Sequence, residues 1–275
     1  MNKIKLSVMG CGKMGRTIIK AINEGLDKYE IFGFEKREDI RKKVQEDLGV
    51  EVRELIDKAH AYSVCIIAVK PQDISSAVDS IAGFELNNRS SMLIISIAAG
   101  VTLKYLRSRL SGYPVIRVMP NTPALVGCGM TAIARDQDVS EHHLKTAEEI
   151  FSCMGNTVIV EEKYMDAITA ISGSGPAYFF YIAEIIEKYA HEIGLDHDAA
   201  RILISGTVKG SGMLMCESED SFKTLKDNVT SPGGTTEAAL KHLKNNNFED
   251  IFYNAIGEAT KRSKELSDIK REEDK

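Results

Sequence analysis

The clearest chemical signal in the chain is a glycine-rich turn near its start. Gly10-Cys-Gly-Lys-Met-Gly15 directly follows an apolar run that ends at Met9. In a GxGxxG turn the first glycine permits a tight bend, the second lets a pyrophosphate approach the backbone, and the third lets the next helix pack on the strand. The start of that helix also offers unpaired N–H groups to an anion. We therefore expect the turn to bind a dinucleotide.

Charged residues after the second apolar run give conflicting indications of which dinucleotide binds. Glu35 lies 20 positions after Gly15, where an acidic side chain commonly accepts a hydrogen bond from the ribose 2′-hydroxyl of NAD. Lys36 and Arg37 follow at once, and cations suit the 2′-phosphate of NADP. These residues leave both cofactors open.

Segments at the ends of later apolar runs are expected to line the same site. Ala68–Pro71, Ser96–Gly100 and Met119–Ala124 each end or follow a predicted strand, and ligands of doubly wound sheets bind at the carboxyl ends of the strands. Asn121 offers a side-chain amide near the expected nicotinamide end. The predicted cofactor-binding residues are Gly10, Cys11, Gly12, Lys13, Met14, Gly15, Glu35, Lys36, Arg37, Ala68, Val69, Lys70, Pro71, Ala98, Ala99 and Asn121.

Two further glycine-rich turns, Ser172–Ala177 and Ser231–Thr236, each precede a predicted helix. Pro176 and Pro232 fix the direction of the chain, and the glycines leave backbone N–H groups uncovered. The helix dipole favours a small anion such as a carboxylate at these positions. Each turn could equally be a plain helix cap.

Other chemistries find little support. The six histidines show no HExxH or similar ligand spacing, so the sequence predicts no metal site. There is no GxSxG nucleophile elbow and no evident Cys/His pair, which argues against hydrolysis through a covalent intermediate. Hydride transfer, which a nicotinamide cofactor itself performs, is the reaction most compatible with a dinucleotide turn and no strong nucleophile.

The elements that must position these residues follow from the hydrophobic pattern. Up to about residue 160 short apolar runs alternate with helical patterns, which indicates a mostly parallel, doubly wound α/β sheet. The rest of the chain has a helical pattern, so we predict a dinucleotide-binding domain over residues 1–162 and a helical domain over 163–275. The predicted strands are Lys3–Met9, Ile31–Phe34, Ser63–Val69, Met92–Ile97, Val115–Met119, Met130–Ala134 and Thr157–Val160. The predicted helices between them are Lys13–Gly25, Asp39–Leu48, Pro71–Ile81, Thr102–Leu110 and Ser140–Met154.

The composition indicates the class of protein, its compartment and the kinds of partner it can bind. The chain has 275 residues, of which 43% are apolar and 27% charged, as expected for a globular protein with a substantial core. A net charge of −5 and the lack of a long basic run argue against nucleic acid. The apolar runs are strand-sized, so no membrane partner is expected. Five scattered cysteines without a CxxC pair favour a reduced, cytoplasmic protein.

One predicted helix is too apolar for a single face of contact. It begins at Pro176, and Glu184 is the only charge between Ala177 and Ile186. A helix that is apolar around most of its circumference must be buried on several sides. A second copy of the chain is the favoured cover, and a central position in the core is the alternative.

Taken together, the motifs resemble the pyrroline-5-carboxylate reductase family over nearly the whole chain. The most specific match is the run Leu225-Lys-Asp-Asn-Val-Thr-Ser-Pro-Gly-Gly-Thr-Thr236. The other matching segments are Gly10–Gly15, Ala68–Pro71, Ser96–Gly100, Met119–Ala124 and Ser172–Tyr178.

The resemblance implies a Rossmann-like first domain, an all-α domain that interlocks with its twin in a homodimer, and reduction of 1-pyrroline-5-carboxylate to L-proline, the last step of proline biosynthesis. It favours NADPH, with NADH as the other candidate, although Glu35 stands where many members carry a small polar residue. It also implies that the hydroxyl of Thr236 acts catalytically at the ring nitrogen of the substrate. The implied substrate-binding residues are Glu219 at the rim and Ser231, Gly233, Gly234, Thr235 and Thr236 around the carboxylate.

Three other functions remain as alternatives. A 3-hydroxyacid dehydrogenase shares the architecture but uses a lysine at the position that Phe179 occupies here. A deazaflavin-dependent reductase would not need the Ser231–Thr236 turn. A non-catalytic dinucleotide-binding module is compatible with the composition. The expected enzyme is therefore an NAD(P)H-dependent oxidoreductase that acts on an imine, with another dehydrogenase or imine reductase of similar architecture as the alternative.

Overall fold

The computed structural model describes residues 3–56, 62–83 and 89–272, with side chains up to residue 267. The chain divides into two compact units, Met1–Ser174 with Glu258–Lys275, and Gly175–Gly257. The first unit therefore contains both the beginning and the end of the chain. The predicted domain boundary between residues 162 and 163 stays a prediction.

The first unit is built on an eight-stranded sheet in the order β3-β2-β1-β4-β5-β6-β7-β8. Neighbouring strands are parallel except for β6 and β7, which are antiparallel. All seven predicted strands are present. The strands are β1 Ile4–Met9, β2 Tyr29–Phe34, β3 Glu51–Arg53, β4 Val64–Ile67, β5 Leu93–Ser96, β6 Val115–Met119, β7 Gly129–Arg135 and β8 Gly155–Ile159.

Helices cover both faces of this sheet, which confirms the doubly wound α/β architecture. One buried cluster contains Leu6 of β1 together with Ile18 and Phe151 from helices. The cluster on the other face contains Ile74 and Leu106. Strands buried on both faces in this way are typical of parallel sheets. The helices of this unit are α1 Lys13–Gly25, α2 Glu38–Leu48, α3 Ile74–Ala82, α4 Leu103–Arg109, α5 Glu141–Ser152 and α6 Met165–Ile168.

Strand β3 is the one element of the sheet that the sequence did not predict. It has three residues, and Val52 alone is buried between the partly exposed Glu51 and Arg53. It pairs with β2 at the edge of the sheet. So short a segment has too few alternating positions to show a period of two.

A buried arginine ties the end of the chain to the sheet. Arg117 of β6 is almost fully buried and pairs with Glu162 at 3.3 Å and with Asp166 at 3.7 Å. Ser263 donates a hydrogen bond of 2.7 Å to the same Asp166 carboxylate. A buried guanidinium is tolerated only when carboxylates satisfy it. This network explains why the last helix belongs to the first unit from Glu258 onward.

The second unit is entirely helical, and its own residues bury very little. Among residues 175–257, all of which are described, the only buried apolar side chains are those of Ala190 and Ala200. Ile202, for example, is 70% exposed. A set of helices cannot be stable with so small a core, so residues outside this unit must bury most of its apolar surface. The helices are α7 Gly175–Glu192, α8 His197–Glu217, α9 Phe222–Asn228, α10 Thr235–Asn245 and the first part of α11 Phe248–Glu272.

Three glycines of α8 illustrate the same point. Gly206, Gly210 and Gly212 each cost helix stability of about 1 kcal/mol relative to alanine. Such glycines usually permit a close approach between helices, but a Cβ added at any of them would meet no other described residue within 4 Å. Within the described part of the chain, these glycines therefore make no close approach to another helix. In the part of the chain that the structure describes, no helix is long and apolar enough to cross a membrane.

Candidate active site

The glycine-rich turn lies where the strand order of the sheet reverses. From β1 the chain builds the sheet outward through β2 and β3, and then returns to place β4 on the other side of β1. Ligands of doubly wound sheets bind at this switch point, outside the carboxyl ends of the strands. The turn leaves the end of β1, and Ala68–Pro71 leaves the end of β4. The structure therefore brings these two predicted segments together.

Two of the three motif glycines are required by the protein's own packing. Gly10 has a φ of +93°, and a Cβ there would lie 2.8 Å from the backbone of Ala68. A Cβ on Gly15 would lie 1.9 Å from the carbonyl oxygen of Gly10. No side chain fits at such distances. These two glycines let α1 start tightly against the end of β1.

Gly12 is different, because a Cβ on it would meet no described residue within 4 Å apart from its two chain neighbours. Packing within the chain therefore does not explain this glycine. Gly12 is also the residue that precedes α1, and no side chain caps the helix or places an acidic group in its first turn. The first N–H groups of the helix and its positive dipole end are thus available to an anion. This arrangement fits a pyrophosphate.

Glu35 closes the other side of the turn. Its carboxylate accepts hydrogen bonds from the backbone N–H of Cys11 at 3.0 Å and of Arg37 at 3.1 Å. Arg41, which no sequence motif indicates, donates to the carbonyl oxygens of Glu35 and Lys36 at 2.8 and 2.7 Å. Together these bonds fix the loop after β2 and hold a negative charge beside the glycine-rich turn.

The two cations after Glu35 are exposed and already have partners. Arg37 makes two hydrogen bonds to Asp39, and this carboxylate raises the pKa of the guanidinium. The ammonium of Lys36 lies 3.4 Å from the hydroxyl of Ser76 at the start of α3. Arg37 would have to leave Asp39 to bind a phosphate, so the predicted cofactor contacts of the two cations stay predictions.

Cys11 occupies the turn without the properties of a nucleophile. Burial and the nearby Glu35 carboxylate raise the pKa of its thiol to about 12. The thiolate is the reactive form of cysteine, so this thiol stays protonated and inert at neutral pH. Its contribution to the site is its backbone N–H, which holds Glu35.

The remaining predicted cofactor residues lie at the carboxyl ends of β4, β5 and β6. Lys70 is exposed, whereas Ala98 is buried and Ala99 half-buried. Asn121 is more constrained than its sequence position suggested. Its amide oxygen accepts from the N–H of Met130 at 2.9 Å, and its amide nitrogen lies 3.3 Å from the carbonyl oxygen of Ser172. In this structure the Asn121 side chain ties the loop after β6 to the start of the Ser172–Ala177 turn.

The first of the two helical turns also contacts the flexible side chain of Met119 at the end of β6. A Cβ on Gly173 would lie 2.6 Å from the terminal carbon of Met119. The preceding residues Thr169–Gly173 form a π-helical turn, and α7 begins at Gly175. The sequence predicts a helix from Pro176, and α7 begins one residue earlier, at Gly175. The contact with Asn121 gives the turn a structural role.

The second helical turn, Ser231–Thr236, presents hydroxyl groups at the start of α10. Gly233 has a φ of +72°, and its N–H donates to the Glu237 carboxylate at 2.7 Å. The N–H of Gly234 donates to the carbonyl oxygen of Ser231 at 3.0 Å. Thr236 is half-buried in the first turn of α10, and its hydroxyl makes no hydrogen bond within the described chain. A free hydroxyl and helix N–H groups can together hold a small carboxylate.

Glu219 lies apart from this turn in the local hydrogen bonding. It is exposed in the loop between α8 and α9, and no hydrogen bond or ion pair joins it to residues 231–236 in the described structure. The structure thus brings together Ser231, Gly233, Gly234, Thr235 and Thr236 through one turn. The predicted role of Glu219 stays a prediction.

Comparisons with known proteins identify the family of this chain. A family model described as pyrroline-5-carboxylate reductase dimerisation matches residues 162–266. A pyrroline-5-carboxylate reductase from Synechocystis sp. is 37% identical over 266 residues, which cover 96% of this chain and 98% of that protein. The chain belongs to the pyrroline-5-carboxylate reductase family. A second relative of that name, from Bacillus spizizenii, is 42% identical over 74% of this chain and 68% of its own length.

Solved structures show the same fold for this member of the pyrroline-5-carboxylate reductase family. The enzyme from Coxiella burnetii is 33% identical, with a TM-score of 0.86 over 97% of this chain and 99% of that chain. The enzyme from Plasmodium falciparum, solved with NADP bound, is 30% identical with a TM-score of 0.85 over 97% and 99%. Residues 5–100 also match a model described as NADP oxidoreductase coenzyme F420-dependent. These matches confirm the Rossmann-like sheet followed by a helical dimerisation domain.

The different surroundings of the motif glycines give a direct test of the cofactor site. Gly12→Ala adds a methyl group where the chain has open space, so the protein should fold normally but bind NADPH about tenfold or more weakly, because the methyl group occupies the pyrophosphate position. Gly15→Ala drives a methyl group into a backbone carbonyl and should destabilise the fold by more than about 3 kcal/mol. Thermal unfolding and cofactor fluorescence measure the two effects. Unchanged NADPH affinity in the Gly12 variant would remove the turn from the binding site.

Proposed function

We propose that this chain catalyses the reduction of 1-pyrroline-5-carboxylate to L-proline, with NADPH or NADH as the electron donor. The observation that carries the proposal is Gly12, a glycine without an intrachain packing reason at the open N-terminus of α1, on the switch point of a sheet from this family. Family membership adds the reaction class, and the Ser231–Thr236 turn adds groups that suit a carboxylate.

The cofactor is held mainly by the backbone. The N–H groups at the start of α1 bind the pyrophosphate, and Gly12 leaves room for it. Glu35 faces the adenosine ribose from the loop after β2, with Lys36 and Arg37 beside it. Bound reduced nicotinamide supplies a hydride to the carbon of the substrate C=N bond. The NADP bound to the related Plasmodium falciparum enzyme supports a nicotinamide dinucleotide here.

The substrate is held by the second unit. The hydroxyls of Ser231 and Thr235 bind the carboxylate. The N–H groups of Gly233 and Gly234 join them by exchanging the Glu237 carboxylate and the Ser231 carbonyl oxygen for the substrate. The hydroxyl of Thr236 accepts or donates at the ring nitrogen, and its half-buried position in α10 gives it a fixed direction. A cyclic imine is protonated readily and its iminium carbon accepts hydride, so alignment is the main demand on the protein. A hydroxyl is a weak acid, so Thr236 orients the nitrogen first and relays a proton second.

The proposed assembly is a homodimer formed through the helical unit, in the cytoplasm. The large exposed apolar surface of α7 and α8, the unpacked glycines of α8 and the match to a dimerisation model support a second copy as the cover. Five free cysteines, two of them exposed, support a reducing compartment.

The function is tested by following NADPH or NADH absorbance in the presence of 1-pyrroline-5-carboxylate. Cofactor oxidation with formation of proline supports the proposal. Oxidation of a 3-hydroxyacid with no imine reduction would favour the dehydrogenase alternative, and a lack of turnover with either substrate would favour a binding module.

The role of Thr236 is tested by a matched pair of substitutions. Thr236→Val keeps the branched shape but removes the hydroxyl, so kcat/KM should fall about tenfold or more, a loss of about 1.4 kcal/mol of transition-state stabilisation. Thr236→Ser keeps the hydroxyl and should retain most of the activity. Steady-state kinetics of both variants at saturating cofactor give the answer. Equal activity in the two variants would exclude the hydroxyl from the reaction.

The position of Glu35 predicts that its charge opposes a 2′-phosphate. Glu35→Gln removes the charge while keeping an oxygen that can accept the Cys11 N–H, so the ratio of kcat/KM for NADPH over NADH should rise by about tenfold. Glu38→Gln is the matched control, because Glu38 is exposed and pairs with Lys42. A ratio that moves equally in both variants would mean that the general charge of the loop, rather than Glu35, sets the preference.

The dimer is tested by placing a charge on the exposed apolar surface of α8. Ile202 is strongly exposed in the single chain, and a buried unpaired carboxylate in its place would oppose association. Ile202→Asp should therefore convert the dimer to monomer at micromolar protein in sedimentation experiments. Lys145→Asp on α5 of the first unit is the control and should leave the dimer intact. A wild-type monomer under these conditions would reject the proposed assembly.

A further inference from the structure

Three metal-binding groups meet at the hairpin between α7 and α8. Glu187 and His191 are one helical turn apart on α7, so they share a face of the helix. His197 is the first residue of α8. One ligand atom from each of the three residues lies within 4.8 Å of the others. The histidine spacing in the sequence predicts no metal site, and that stays a prediction. The hairpin, rather than the sequence interval, brings the two imidazoles together.

The turn between the two helices holds this geometry in place. Gly194 adopts a φ of +84°, and its N–H donates to the carbonyl oxygen of His191 at 3.0 Å. The N–H of Leu195 donates to the carbonyl oxygen of Ala190 at 2.9 Å. These two bonds close the end of α7 in the manner of a helix-terminating glycine motif. Asp196 then caps α8 through the N–H of Ala199.

The packing beneath the hairpin adds to this rigidity. Ala190 and Ala200, the two buried apolar side chains among residues 175–257, lie in the last turn of α7 and the first turn of α8. The helix turns that carry His191 and His197 therefore each contain a buried residue. Ligands carried on a rigid backbone lose little entropy when an ion binds.

The distances suit a tetrahedral ion. Nδ1 of His197 lies 3.4 Å from Nε2 of His191 and 3.9 Å from a carboxylate oxygen of Glu187. Two ligands of a tetrahedral ion with bonds of about 2.0–2.1 Å are separated by about 3.3 Å. The two nitrogens already have about this separation. The Glu187 carboxylate oxygen has to move closer to both, since it lies 3.9 Å from His197 Nδ1 and within 4.8 Å of the His191 nitrogen. The His197 side chain is 60% exposed, so water can reach a fourth position.

We propose that Glu187, His191 and His197 bind one divalent transition-metal ion per chain, with Zn²⁺ as the best match, and that the ion clips α7 to α8. Two imidazole nitrogens and one carboxylate favour Zn²⁺, Co²⁺, Ni²⁺ or Cu²⁺ over Mg²⁺ and Ca²⁺, which prefer oxygen ligands. An ion that binds the folded hairpin and not the unfolded chain stabilises the helical unit by an amount that grows with the logarithm of the ion concentration above the dissociation constant. None of the three ligands belongs to the proposed cofactor or substrate residues, so the site is independent of the proposed reduction.

The test uses the full-length chain without a histidine tag, freed of metal with a chelator. Isothermal titration with Zn²⁺ should give one ion per chain with a micromolar dissociation constant, and Zn²⁺ should raise the unfolding temperature while Mg²⁺ does not. Co²⁺ should produce the visible absorption bands of a tetrahedral site. His197→Ala should weaken Zn²⁺ binding by about tenfold or more, and Glu187→Gln should weaken it while leaving the metal-free unfolding temperature unchanged.

The matched control is His242→Ala, which removes an exposed histidine of α10 in the same unit. It should bind Zn²⁺ as the wild type does. Equal affinity in the His197 and His242 variants would overturn the proposal. So would a stoichiometry of half an ion per chain, since that indicates an ion shared between two copies, and so would the absence of binding at micromolar Zn²⁺.

Discussion

The proposed cofactor site depends on one steric constraint, the contact between the start of α1 and the end of β1. The third motif glycine approaches the carbonyl oxygen of the first so closely that no Cβ could stand at Gly15. This contact directs the N-terminus of α1 toward the switch point of the sheet. The segments that follow β4 and β5 begin at the same edge of the sheet. Once the helix is placed in this way, its open N–H groups make an anion site without any charged side chain. The loop after β2 then adds the charge of Glu35 beside it.

The helical unit, unlike the sheet unit, has more apolar surface than its own helices bury. Only Ala190 and Ala200 are buried apolar side chains among residues 175–257. Its stability therefore has to come from contacts outside those residues, and the proposed association with a second copy would supply such contacts. A metal ion bound at the α7–α8 hairpin would stabilise the helical unit from within one chain. Both the second copy and the metal ion would then help to order the substrate turn at the start of α10.

The sequence predicted the parts of the molecule that depend on local pattern. The glycine turn, seven of the eight strands and helices α1 to α5 were predicted because their periodicity and end signals lie within short windows. The three-residue strand β3 was not predicted, because three residues are too few to show the alternation of apolar and polar side chains. The sequence did not predict three further contacts. They are the hydrogen bond of Asn121 to Ser172, the hydrogen bonds of Arg41 to the loop after β2, and the contact between His191 and His197. Each depends on how a turn folds back or on partners far along the chain, and neither composition nor spacing contains that information.

The central claim is that the chain delivers a hydride from a bound nicotinamide to the carbon–nitrogen double bond of a cyclic imine. The most direct measurement uses NADPH stereospecifically deuterated at the reactive position of its ring, with mass spectrometry and NMR of the proline formed. We predict one deuterium on the proline ring carbon that had been double-bonded to nitrogen when the transferable position carries the label, and none when the opposite face is labelled. Proline that carries no deuterium from either labelled cofactor would contradict the claim.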